Sequence, residues 1–175
     1  MSTIISAIII IAVLVLIFWL LLLIHKNSLQ RKAAGLLIHF NEVAYNNNLV
    51  VTETELLHNM MFGYDKLYGK FLILETTGKN KYQHQVIDLD EVTDCTLQKI
   101  KRPVFDKGKP GKISEVILEQ VNLLFEFTNK RKPVELVFYR NVVDYIFELQ
   151  PLEAKAIKWQ ELISKQIKKQ LRHIA

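Results

Sequence analysis

FGYDKLYGKFLIL, residues 62–74, sets two apolar runs on either side of a short polar turn. Residues 70–76, KFLILET, have the length and the β-branched and aromatic content of a strand. Residues 65–69, DKLYG, read as a turn, because Asp bonds nearby backbone N–H groups and Gly accepts backbone angles closed to other residues. The apolar-rich residues 56–64 supply the strand that enters the turn. The unit is a hairpin, and the chain on its C-terminal side repeats the pattern.

A second turn, 77–81, leads to residues 82–89, where Tyr82, His84 and Val86 alternate with Gln83 and Gln85. Residues 90–92 form a corner. Residues 93–101 alternate again, with Cys95, Leu97 and Lys99 on one face. A long basic loop over 102–112 holds two prolines and two glycines. Residues 113–127 form an apolar-rich strand region, long enough to be bent or interrupted. Residues 128–133, TNKRKP, read as a hairpin loop, and 134–139 return. Strands at short spacing with turn signals between them predict an antiparallel sandwich or barrel. A helix over 151–171 closes the chain. Pro151 suits its first position, and Leu152, Ala156, Trp159, Ile163 and Ile167 recur at spacings of 4, 3, 4 and 4. That face must be buried, and it would close the open end of a small barrel.

On the N-terminal side, residues 4–24 carry no charge and are apolar throughout except Ser6. As a helix they are ~31 Å long, which matches the ~30 Å hydrocarbon thickness of a bilayer. The run is too long for a signal-peptide core and ends without a small-residue cleavage site, so it reads as a retained anchor. Lys26, Arg31 and Lys32 follow it and none precedes it, which places the N-terminus outside and the C-terminal domain in the cytoplasm of an inner (plasma) membrane. Residues 26–45 continue as helix and end at Asn46-Asn47-Asn48. On that helix Leu29, Ala33, Leu36, Phe40 and Val43 share one face. They either pack on the protein's own domain or form the seam of a dimer. The expected division is a transmembrane anchor over 1–25, a juxtamembrane helix over 26–48 and a mainly β, α+β domain over 49–175.

The chain carries 23 Lys+Arg against 18 Asp+Glu, a net charge of +5, all of it outside the anchor. That balance suits a domain beside an anionic leaflet and is too small to demand nucleic acid. The single cysteine, Cys95, rules out an internal disulfide. Asp88, Asp90, Glu91 and Asp94 lack the glycine and the final glutamate of a calcium loop, so they read as turn carboxylates. The five histidines show no metal-ligand spacing, no G-x-S-x-G occurs, and Cys95 alternates with strand positions as a small buried hydrophobe. No cofactor or metal is expected, and the chain reads as a non-enzyme. The candidate binding residues are Lys99, Lys101, Arg102, Lys107, Lys109 and Lys112 around the basic loop, together with Lys130, Arg131 and Lys132. A third basic group, Lys165, Lys168, Lys169 and Arg172, ends the last helix.

Taken together, FGYDKLYGKFLIL (62–74), VIDLDEV (86–92), TDCTLQKI (93–100) and LEAKAIKWQELI (152–163) with Trp159 resemble the pleckstrin-homology-like superfold in its bacterial membrane-anchored form. The order of elements over about residues 50–170 carries the resemblance. It implies a β-barrel capped by the C-terminal helix, used to dock proteins, lipids or peptides rather than for catalysis. Only Lys66 and Lys70 lie near the basic motif of inositide-binding members, so inositide recognition is not expected. The expected role is a membrane-anchored adaptor with a protein partner. The alternatives are direct contact of the basic loops with anionic lipid, and a regulatory subunit of a membrane enzyme complex.

Overall fold

The apolar segment before the DKLYG turn divides in two. Glu53–Leu57 (β1) pairs antiparallel with Met60–Asp65 (β2). His58 between them takes the left-handed φ of 54° that the tight reversal needs. The computed structural model describes the backbone of residues 2–78, 81–105, 113–128 and 131–174, and the side chains of 13–23, 31, 33–78, 81–104, 115–128 and 131–169. Lys70–Gly78 (β3) and Lys81–Asp88 (β4) complete a four-stranded antiparallel sheet in sequence order. A 3₁₀ turn, Leu89–Glu91, makes the corner, capped where the Asp88 carboxylate accepts from the Asp90 N–H. Val92–Phe105 (β5), Ile113–Phe127 (β6) and Val134–Arg140 (β7) form a second antiparallel sheet.

In the second sheet one boundary differs from the sequence reading. β5 runs on through Phe105, so residues 102–105, expected in the loop, belong to a strand. β6 is one long strand, bent by register shifts at Ile100/Lys101 and at Val121/Asn122 rather than interrupted.

Leu149–Ile174 (α2) begins two residues before the expected helix. Ala156, Trp159, Ile163 and Ile167 are all buried, as the spacing predicts. α2 lies between the outer edges of the two sheets. Lys155 and Lys158 reach Glu55 and Glu53 on β1, at 2.8 and 3.6 Å. On the other side the Gln160 side chain donates to the Cys95 carbonyl of β5 (3.2 Å). The main core between sheets and helix is aromatic. Trp159 stands edge-on to Phe62 and Phe71, with ring centroids 5.1 and 5.8 Å away, and Phe125 and Phe138 complete the group.

A second core lies on the outer face of the first sheet. FLIL (71–74) is buried at every position. Phe71 and Ile73 face the main core, while Leu72 and Leu74 face outward. The outward pair is covered by the end of a continuous helix, Ser2–Asn46 (α1), through Leu36, Phe40 and Ala44, with Val43 beside them. The face expected either to pack on the domain or to form a dimer seam thus packs on the domain at Leu36 and Phe40. Leu29 lies outside the described side chains. α1 ends at the three asparagines, with Asn48 left-handed (φ 54°) and the Leu49 N–H bonded to the Ala44 carbonyl (2.9 Å).

Among the described residues no helix is long and apolar enough to cross a membrane. The stretch read as a span, 4–24, lies partly outside the described side chains. Its described part, residues 13–23, is apolar and exposed at every position. The fold is thus α+β, with antiparallel sheets of four and three strands packed against a long C-terminal helix.

Candidate functional site

α1 distinguishes the two ends of the domain. Phe40 presses on the middle of β2, where a Cβ on Gly63 would lie 2.9 Å from Phe40 Cζ. Nearer the start of the chain, the His39 ring lies 4.1 Å from that of Tyr82, and Gly35 lies beside the Tyr82 hydroxyl. Tyr82 pairs with Thr76, and Gly63 pairs with Leu72. The step from Leu72 to Thr76 is ~13 Å along the strand at ~3.3 Å per residue. Followed back toward residue 2, α1 therefore runs past the β3–β4 turn, which marks the proximal end.

Three other features gather at that end. The β1–β2 turn is there, with the Asn59 carbonyl accepting from the Thr76 N–H (2.9 Å). The β7–α2 connection is tied to it where the buried Asp144 carboxylate meets the His58 imidazole. The β5–β6 hairpin continues past Arg140 and Gln120, the last pair formed by β7, as a two-stranded arm. The distal end holds the DKLYG turn, the 3₁₀ corner and the β6–β7 hairpin, linked by bonds from the Leu89 N–H to the Gly69 carbonyl and from the Thr128 N–H to the Glu91 carbonyl. The distal turn is pinned by Asp65, fully buried, whose carboxylate accepts from the N–H groups of Val50, Leu67 and Tyr68 at 2.8, 2.8 and 3.0 Å.

The candidate cations do not form one surface. Lys99, Lys101 and Arg102 lie on β5 at and beyond the base of the arm. Lys99 pairs with Glu153 of α2 (2.6 Å) and Arg102 approaches Glu119 (3.8 Å). Lys101 is exposed and has no carboxylate partner among the described residues. Arg131 and Lys132 are at the opposite, distal end. There Arg131 reaches Glu91 (3.5 Å) and lies over the Phe127 ring, 4.8 Å from its centroid, while Lys132 is exposed. Lys107, Lys109, Lys112 and Lys130 lie outside the described residues, as does the Arg172 side chain. Exposed pairs of this kind contribute only ~0.2–1 kcal/mol each, so they leave the cations available to a partner.

The third basic group contributes to a cleft between α2, β1 and the end of β2. Its volume is ≈ 430 Å³, and Lys66, Lys158, Lys165 and Lys169 line it with Glu53, Glu161 and Tyr64. Lys158 is paired with Glu53, while Lys66, Lys165 and Lys169 have no carboxylate partner among the described residues. Burial, then the neighbouring Asp65 and Glu53 carboxylates, push the Tyr64 phenol up to about 12. It is therefore a neutral hydroxyl in the wall of a cleft lined by four lysines and two glutamates. Cys95 is buried, and burial, then Asp94, push its thiol up to about 12, which makes it a packing residue at neutral pH.

Sequence reasoning missed the β7–α2 connection. Val142, Val143, Tyr145, Ile146 and Phe147 are all exposed, at 82, 63, 69, 73 and 73 %, around the buried Asp144. The signal was the string VVDYIF itself, five apolar residues in a connection that has neither strand nor helix periodicity.

Comparison of the chain with family models, with curated proteins and with solved structures gives no match.

Proposed function

We propose that this chain is a single-span membrane protein whose pleckstrin-homology-like domain is a non-catalytic adaptor at the cytoplasmic membrane surface. The observation that carries the reading is the run of exposed apolar side chains over residues 13–23 of α1, leaving the proximal end of the domain. Eleven such residues in succession are not a stable water-facing helix surface; lipid solvates them without loss. The strand order, four then three with a closing helix, supports the pleckstrin-homology-like assignment. The main core is filled with aromatic side chains, so function falls to the surface. The distal lysine cleft is the face this reading offers to an acidic protein segment, since it points away from the end where α1 departs.

The experiment is topology on the full chain. The protein should stay with membranes through alkaline carbonate, and a fluorescent protein fused after Ala175 should glow while alkaline phosphatase there stays inactive. Release by carbonate would overturn the anchor, and an active phosphatase would place the domain on the other side.

A second reading, anionic-lipid contact by the β5–β6 arm, draws support from the arm leaving the barrel at the proximal end with Lys101 and Arg102 on it.

A further inference from the structure

We propose that the β7–α2 connection, residues 142–147, is a second membrane attachment that seats its apolar side chains in the interface of the bilayer that α1 spans. The inference rests on the anchored reading above and adds a contact that the anchor alone does not require.

The loop is built to present these groups. Asp144, its one acid, is turned inward, where its carboxylate accepts from the Arg140 N–H (2.7 Å) and meets His58 of the β1–β2 turn. The Tyr145 N–H donates to Glu148, and the Glu148 N–H to the Tyr145 carbonyl, both at 2.9 Å, which holds the next turn closed. With the Asp144 carboxylate turned inward, Val142, Val143, Tyr145, Ile146 and Phe147 are left exposed, and the Tyr145 and Phe147 rings stack at 5.3 Å with an interplanar angle of 5°. A fixed apolar cluster in water marks a contact surface. Paired Tyr and Phe beside aliphatic residues suit the boundary between headgroups and hydrocarbon, where an amphipathic ring is stabilised at both its faces.

The bilayer is chosen as the occupant by position. The His58–Asp144 contact ties the loop to the β1–β2 turn, on the end past which α1 departs. From Gly35, beside Tyr82, to Leu23, the last described residue of the exposed apolar run, α1 rises ~18 Å. The headgroup zone takes up ~5–8 Å of this. The remaining distance, roughly 10 Å, is closed by the loop's own outward side chains and a helix tilt of ~20°, ordinary for a spanning helix. The loop follows β7, an edge strand of the second sheet, whereas α1 covers the outer face of the first, so a tilt of α1 toward the second sheet lowers the loop toward the lipid.

The test places a fluorescent probe on the full-length chain in vesicles. A polarity-sensitive label goes on Phe147→Cys, with Leu67→Cys at the distal turn as the control. Native Cys95 is buried and protonated at labelling pH, so it does not compete. The expected result is a blue-shifted emission at position 147, quenched by lipids carrying a spin label near the headgroup, with neither effect at position 67. Changing Ile146 and Val143 to Ser should shift the position-147 emission back toward that of an aqueous probe. Protein retained through carbonate but with a water-like probe at 147 overturns the loop and leaves the anchor standing. A blue-shifted probe that spin-labelled lipids fail to quench also overturns it, and assigns the loop to a protein partner or a second copy. Protein released by carbonate overturns the anchor and this inference with it.

Discussion

Truncating Trp159 tests whether α2 packs on the two sheets as described. The indole is 1 % exposed. Burying ~200 Å² of ring at ~25 cal/mol per Å² is worth ~5 kcal/mol. The indole Nε1, however, is buried without a hydrogen-bond acceptor among the described residues. An orphaned donor costs ~1–3 kcal/mol, which lowers the net contribution of the side chain to ~2–4 kcal/mol. Trp159→Ala removes the orphan but leaves a cavity facing Phe62 and Phe71, and the sum falls in the ~3–5 kcal/mol range of large aromatic truncations. Trp159→Phe separates the two terms. It gives up ~50 Å² or ~1.3 kcal/mol and removes an orphaned donor that costs ~1–3 kcal/mol, so it should lie between ~0.3 kcal/mol below and ~1.7 kcal/mol above the parent. Residues 31–175, which retain both hydrophobic cores, would be unfolded in urea and followed by far-UV circular dichroism. If Phe is as damaging as Ala, the indole N–H has a partner and the argument from its isolation fails. If Ala costs under ~1 kcal/mol, α2 does not close the core through this face.

Gly63→Ala should destabilise the same fragment by ~1–3 kcal/mol in urea, the usual range for overpacking. Its Cβ would lie 2.6 Å from Val51 Cγ1, 2.9 Å from Phe40 Cζ and 3.0 Å from the Glu53 carbonyl oxygen, and that backbone oxygen has nowhere to go. An unchanged midpoint would mean that Gly63 is not enclosed by Val51, Phe40 and the Glu53 backbone as described. In alkali, Cys95 and Tyr64, raised from 9.0 and 10.0 to about 12, keep their protons in the folded state while the unfolded chain releases its own. Their contribution is therefore complete below pH 9 and is lost as pH rises toward 12; a Tm flat over that window would refute it, and Cys95→Ala should shallow the decline. For the arm, the same fragment should sediment with anionic vesicles at low salt and not with neutral ones. Lys101→Glu with Arg102→Glu should weaken this by ~1 kcal/mol per residue or more, and parent protein that ignores anionic vesicles would dismiss lipid contact by the arm.

Most strands were legible because the turns between them gather two or more of Gly, Pro, Asp and Asn. The exception is instructive. The His58–Asn59 reversal lies inside an apolar run and has no glycine, and its left-handed residue is a histidine, so residues 56–64 looked like one strand. FLIL shows the other limit. An unbroken apolar run says that a strand is buried on both faces, but not what lies on each face. Here the second face is covered by α1, whose own apolar stripe was legible as a face to be buried, though not as the partner of β3. The described basic residues lie apart because Lys99–Arg102 and Arg131–Lys132 stand before and after β6 in sequence, and a strand carries its two ends to opposite ends of a sheet. The VVDYIF connection escaped because periodicity finds cores, while an exposed loop with inward hydrogen bonds has no period to find.

That separation of ends bears on what an adaptor needs. A domain held by one helix swings about its tether, and a cleft on it sweeps every direction. A second attachment apart from the first removes most of that freedom. With α1 covering the outer face of the first sheet and the β7–α2 loop following the second sheet at the same end, the distal end would point away from the bilayer. The Lys66–Lys165–Lys169 cleft, on the distal side, would then face the cytoplasm. Fixing its direction concentrates it for a partner tethered to the same membrane, since the effective concentration of an intramolecular-like encounter depends on reach and stiffness rather than on new contacts. Loosening the loop should then weaken partner binding at the cleft although no cleft residue has changed. Val143→Ser with Ile146→Ser can be compared with Lys165→Glu by crosslinking in native membranes through a photoreactive group at Gln166. Equal crosslinking in the parent and the loop variant would show that one tether suffices. Loss in the loop variant, with carbonate resistance intact, would show that orientation matters as well as proximity.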